Sequence, residues 1–119
     1  MTVRLLHNQA MEKVDDALVE RHNGNCDAVI RLYREAYALE MQAIVLLDEK
    51  TSAEYSMSKE IMLRSAAHLA LNAGLYQECI ETAGKGLAIA RMSREIHNLD
   101  IARRLAQWKL FLAAKGEQS

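Results

Sequence analysis

At 119 residues, half of them apolar, a quarter charged and none proline, the chain is long enough to bury a core and reads as one domain (1–119) of uninterrupted helices. A formal net charge of −1 gives no bulk attraction to nucleic acid or to a membrane surface, and no apolar run approaches the roughly 18 residues a spanning helix needs. One Trp, four Tyr and one Phe leave most of the packing to Ala, Leu and Met.

The first helix is predicted over 3–22, with Leu6, Ala10, Met11, Val14, Ala17 and Leu18 as its stripe. Arg4, His7 and Asn8 interrupt Leu5 and Leu6, so the N-terminus lacks the apolar stretch of an export signal. Asn23-Gly24 ends the helix, Gly24 supplying the left-handed residue that closes a C-terminus. Asn25 then caps the second helix, and Asp27 in its first turn suits the helix dipole.

The second helix is long, ending near residue 49. Val29, Leu32, Tyr33, Ala36, Leu39, Ala43, Leu46 and Leu47 hold one face; Ile30, Tyr37, Met41 and Ile44 widen it. A stripe that wide serves more than one neighbour. Thr51-Ser52-Ala53-Glu54 has the form of a capping box opening a third helix, 52–72, polar at first and apolar from Ile61.

Across 65–87 the pattern tightens. Ala66, Ala67, Leu69, Ala70 and Ala73 precede Gly74, and Tyr76, Cys79, Ile80, Ala83 and Leu87 follow it at helical spacing. Two helices joined by a tight turn result, the small residues admitting close backbone approach. The fourth helix reaches about residue 90, and Gly84 and Gly86 are expected where another backbone comes close. Ser93 caps a fifth helix to about residue 114, with Ile101, Leu105, Trp108 and Leu112 as its buried stripe and a frayed tail over 115–119.

The stretch Ala67, Ala70, Gly74-Leu75-Tyr76, Cys79, Gly86-Leu87 resembles the helical hairpin of tetratricopeptide repeats (TPR). Gly24-Asn25, Ala28, Leu32-Tyr33 and Ala36 resemble the opening of MIT domains, three-helix bundles that bind peptide helices, with Cys26 where that family usually has an aromatic. The Arg64-Ser65-Ala66-Ala67 run resembles small bacterial helical proteins; Ala88-Ile89-Ala90-Arg91 stands where those have a Gly/Pro-rich turn. The glycine turns lie 50 residues apart, longer than a TPR period, because the second helix is elongated. The expected fold is therefore all-α, about five helices in an antiparallel bundle built from two TPR-like hairpins, and the resemblances imply a non-enzymatic adaptor or scaffold that binds a peptide or helix in a groove.

No constellation specifies a reaction. His7, His22, His68 and His97 form no pair at ligand spacing, and Gly84-Lys85-Gly86 lacks the length and the Lys-Ser/Thr of a phosphate loop. No metal or cofactor is expected, and His68, between Arg64 and Asn72, is expected to be hydrogen-bonded or half-exposed. Arg91 and His97, five residues apart, resemble the Arg-x(4–6)-His motif of HEPN domains, which implies an alternative, RNA-directed reading; surface charges flanking a helix start are the simpler account. From Arg91 onward six Lys/Arg face three Asp/Glu, whereas the preceding residues carry nine against 13, so the basic residues Arg91, Arg94, Arg103, Arg104 and Lys109 gather near the fifth helix. Trp108, Leu110 and Phe111 cannot all share one narrow face with the stripe. They are the expected interaction residues, for a homodimer or a protein partner, with Leu110 as the more exposed anchor and Arg103 and Arg104 beside them. Cys26 and Cys79, far apart and each on an apolar face, are expected as buried free thiols of a cytoplasmic protein.

Overall fold

A computed structural model describes residues 2–48 and 54–118. Among them run five α-helices: α1 (Val3–His22), α2 (Cys26–Asp48), α3 (Glu54–Asn72), α4 (Tyr76–Ile89) and α5 (Ser93–Gln118). The expected all-α bundle is what forms. The Thr51 capping box lies outside the described residues.

Both glycine turns close in the same way. Gly24 (φ 80°) and Gly74 (φ 74°) take the left-handed conformation that a side chain disfavours. Asn25 N donates to Glu20 O and Gly24 N to Arg21 O; Leu75 N donates to Ala70 O and Gly74 N to Leu71 O. Each pair is a Schellman closure, which satisfies carbonyls that the helix end leaves free. Thr2 caps α1, its hydroxyl accepting from Leu5 N at 3.1 Å. Asn25 stands at the start of α2 with its carbonyl accepting from Val29 N, but its side-chain amide donates to Glu20 across the turn instead of capping the helix.

Cross-helix pairs give the register. His7 meets Glu40 and Lys13 meets Glu35, so α1 and α2 run antiparallel. Ser65 meets Glu40, and Arg34 Nε reaches Ala73 O, so α2 and α3 do too. Cys79 Sγ lies 3.5 Å from Ala102 O across the antiparallel α4–α5 pair. Arg64 meets Glu95 on α5, which runs parallel to α3.

The core is built largely from alanine. Ala10 and Ala17 of α1, Ala36 and Ala43 of α2, and Ala66, Ala67 and Ala70 of α3 are wholly buried, as are Ala83 of α4 and Ala102 and Ala106 of α5. Such small contacts bring helix axes close, and Gly86 shows the limit: a Cβ there would sit 2.8 and 2.9 Å from the Leu99 methyls and 3.4 Å from Leu63 Cβ. Gly84, expected to share that role, faces open space. Cys79 is buried, but Cys26, expected in the core, is exposed at the first residue of α2; both thiols are free. Leu18 and Ile30, expected in their stripes, are also exposed. α5 continues to Gln118, through residues that were expected to fray, with no glycine or proline before Gly116 to interrupt it.

Candidate interaction surface

α5 carries two apolar seams. The inner one is Leu99, Ala102 and Ala106, completely buried against α3 and α4, with Glu95 one turn earlier and also buried. The outer one is Ile101, Leu105, Trp108 and Leu112, spaced four, three and four, about 120° around the helix from the first. The outer residues were the expected buried stripe, and the structure reverses that expectation: all four are exposed, Trp108 most, at 55%. α5 nests on its alanines because α3 and α4 offer small residues to meet them, which leaves its large side chains facing out.

Cover also ends partway along the helix. The α3–α4 turn at Gly74 lies near the level of Ala106, since Cys79 is level with Ala102 and α4 begins only three residues before it. Every residue from 107 to 116 is exposed. Residues 107–118 thus form about 18 Å of helix beyond the bundle. Leu110 falls close to the inner seam, roughly 20° from Leu99 on the helical wheel, but past the end of α3 and α4. At 37% it is the least exposed of the large apolar residues that α5 leaves at the surface, so Trp108, and not Leu110, is the prominent anchor. The Trp108 and Phe111 rings stack with centroids 5.4 Å apart, and Lys115 Nζ sits 5.2 Å from the Phe111 centroid. A free helix this short is marginal in water, and contiguous apolar surface of a few hundred Å² often marks a contact.

The basic residues split into two groups. Arg103 and Arg104 both turn to Asp100, at 2.9 and 3.0 Å, so one carboxylate offsets part of their charge. Arg94 and Lys109 are exposed along α5. Arg91 and His97 flank the start of α5, both exposed, and the Arg91 backbone N–H donates to the buried Glu60 at 2.9 Å, which fixes the α4–α5 joint. His97 lines a depression of about 550 Å³ with Leu87, Ser93, Ile96, Asp100 and Arg103. A second depression, about 360 Å³, is lined by Leu6 of α1 and by Gln42, Val45 and Leu46 of α2.

Three buried carboxylates escaped the sequence reading. Glu40 has no exposed surface and accepts from Ser65 Oγ at 2.9 Å while its two oxygens stand 2.9 and 3.0 Å from His7 Nδ1. Serine and histidine thus meet on the carboxylate and not on each other, so this is a structural knot and lacks the serine–base contact of a nucleophile. Glu60 ties the Arg91 amide, and Glu95 pairs with Arg64 at 3.2 Å. Spacing signals each one: Glu40 continues Ala36, Ala43 and Leu47; Glu60 precedes Leu63, Ala67 and Ala70; Glu95 precedes Leu99, Ala102 and Ala106. His68 is half-buried, as expected, and its pKa is held below the ordinary value by desolvation and by Arg64, against a backbone contact to Asn98 that raises it. Among the described residues no three of His, Cys, Asp and Glu gather to hold a metal ion, and no helix is long and apolar enough to cross a membrane.

No family model, no curated protein and no solved structure matches this chain.

Proposed function

We propose that this chain is a non-enzymatic protein-interaction module that takes another α-helix along the outer seam and overhang of α5. The observation that supports it is the exposed row Ile101, Leu105, Trp108 and Leu112, continued by Phe111, on a helix whose other seam is already used. An unpartnered helical face with anchors at this spacing is the complement of an amphipathic helix. A rigid aromatic at its centre, flanked by Arg104 and Lys109, has the residue types that dominate interface energetics. The surface differs from the inter-helix groove that the TPR and MIT resemblances imply. The TPR-like hairpin order supports an adaptor role, and two free thiols suit a cytoplasmic setting.

Panning a displayed library of helical peptides tests the reading. The wild-type protein should enrich amphipathic helices, and Trp108→Glu, on the solvent side of the fold, should lose them while keeping its thermal melt. Enrichment of nothing by a monomeric wild type, or of peptides that bind the variant equally well, would refute it.

A further inference from the structure

We propose that the helix received by α5 is the α5 of a second copy, packed antiparallel about a two-fold axis; this rests on the reading of α5 as an interaction surface. Four observations on the outer seam lead there. The first is area. Side chains of this size present about 150–250 Å² each. At exposures of 39–55% for Ile101, Leu105, Trp108, Phe111 and Leu112, one helix offers about 450 Å² of apolar surface. Two copies would bury about 900 Å² together before the flanking residues are counted, close to the roughly 1,000 Å² of a small specific interface.

The second is self-complementarity. An interface about a two-fold axis uses the same patch twice. With α5 antiparallel to itself, Leu105 meets the partner's Trp108 and Ile101 meets the partner's Leu112, and each pair occurs twice. Trp108 faces the smaller Leu105, and Ile101 faces Leu112, an aliphatic side chain of equal size.

The third is the charged flanks. Arg104 lies on one side of the seam and Lys109 on the other. In a parallel pair the two sides face each other, setting Arg104 against the partner's Lys109, a like-charge contact that opposes that arrangement. In the antiparallel pair each side faces its own counterpart. Arg104 then meets the partner's Phe111, whose ring its aliphatic stem can cover, and Lys109 lies on the opposite flank from the partner's Arg104.

The fourth is the overhang. The register that sets Leu105 on the partner's Trp108 also lays residues 107–118 of each copy along residues 95–106 of the other. The uncovered half of one helix is supported by the bundle-held half of its mate, which accounts for a seam running unbroken from the covered half into the uncovered one.

Sedimentation equilibrium of the full chain tests this, with the fluorescence of Trp108, the single tryptophan, as a second readout. Wild type should be dimeric at micromolar concentration, its emission shifting red on dilution. Trp108→Glu and Leu105→Glu should each raise the dimer dissociation constant at least roughly thirtyfold, with unchanged helical content. In a Cys26→Ser background, Arg104→Cys mixed with Phe111→Cys should give an oxidised dimer that neither gives alone. A wild type that stays monomeric at high micromolar concentration overturns self-association, and so does a dimer indifferent to Trp108→Glu. Cross-linking by either single variant alone, or its absence from a mixture that sediments as a dimer, overturns the antiparallel orientation. A monomer that still enriches helical peptides fails this proposal alone; one that enriches none fails the underlying reading as well.

Discussion

Gly86 offers a sharp test of the close α3–α4–α5 packing. It lies inside α4, where alanine is favoured over glycine by about 1 kcal/mol on helix propensity alone. A methyl at Gly86 would stand 2.8 and 2.9 Å from the two Leu99 methyls and 3.4 Å from Leu63 Cβ. Leu99 has no exposed surface and Leu63 almost none, so neither can swing into solvent. Forcing a methylene-sized group into such a site costs about 1–3 kcal/mol, which outweighs the propensity gain and leaves Gly86→Ala destabilised by about 1 kcal/mol. Gly84, two residues earlier in the same helix, has nothing within 4 Å of the same added atom. Gly84→Ala should therefore stabilise by about 1 kcal/mol. The pair should differ by about 2 kcal/mol in urea unfolding, or roughly 8 °C in Tm for a domain of this size. Leu99→Ala, which alone should cost about 2–5 kcal/mol, removes the obstructing methyls. In that background Gly86→Ala should turn neutral or stabilising. A Gly86→Ala protein as stable as Gly84→Ala, or a double-mutant cycle with no coupling, would refute the close contact.

Other outcomes follow from the same packing. Gly74→Ala should cost about 1 kcal/mol, because Gly74 holds a left-handed conformation at φ 74° with open space around it, so that the strain is purely backbone; chemical denaturation measures it, and a neutral result removes the C-cap account. A thiol reagent at neutral pH should label one cysteine per native chain, the exposed Cys26. Cys79, its pKa pushed up to about 11 by burial, should react only after unfolding. His68 is held below the ordinary histidine value of 6.5 in the fold, so on acidification the unfolded chain takes up its proton first. The stability that the neutral ring contributes is full above pH 6.5 and is lost as the pH falls toward the folded pKa. Urea midpoints at about pH 7.5 and about pH 5.5 should converge more in His68→Gln than in wild type; equal pH dependence in the two proteins would contradict the shift.

Much of the fold was legible in the sequence because its punctuation is local. Gly24 and Gly74 each sit where an apolar repeat stops, and only glycine takes that conformation cheaply, so both turns and the helices around them could be placed from a few residues. The C-terminal end of α1 follows from Gly24, whereas the Thr2 cap at its start was not read from the sequence. The orientation of α5 was harder to read. Apolar periodicity ranks a face by the size of its residues, and on that measure Ile101, Leu105, Trp108 and Leu112 outrank Leu99, Ala102 and Ala106. The choice is decided by what the helix meets: Gly86, Ala83 and Ala67 leave room for an alanine seam and none for tryptophan. Cys26 was misplaced for a related reason, since it opens α2 at the turn, ahead of the part of that helix that α1 covers. Leu110 and Phe111, singled out as residues the stripe could not absorb, are exposed, but so is Trp108, which was expected within the buried stripe; the order of exposure depends on where α3 and α4 stop, which is a tertiary fact.

The buried carboxylates and the exposed seam are two consequences of one packing scheme. Alanine seams bring the helices close but distinguish poorly between registers, because one alanine replaces another at a shift of a single turn. Glu40, Glu60 and Glu95 supply the discrimination that shape does not. Each has its partners at one register alone: His7 and Ser65, the Arg91 amide, and Arg64. A slip of one turn would bury a carboxylate without its donors, at a cost of several kcal/mol. The bundle can therefore be specified without large side chains at the α5 contact, and those side chains are left over on the far side of the helix. On that view the size of the outer seam and the smallness of the inner one have a common origin. The surface through which the chain meets a partner is set by the same residues that hold its last helix in place.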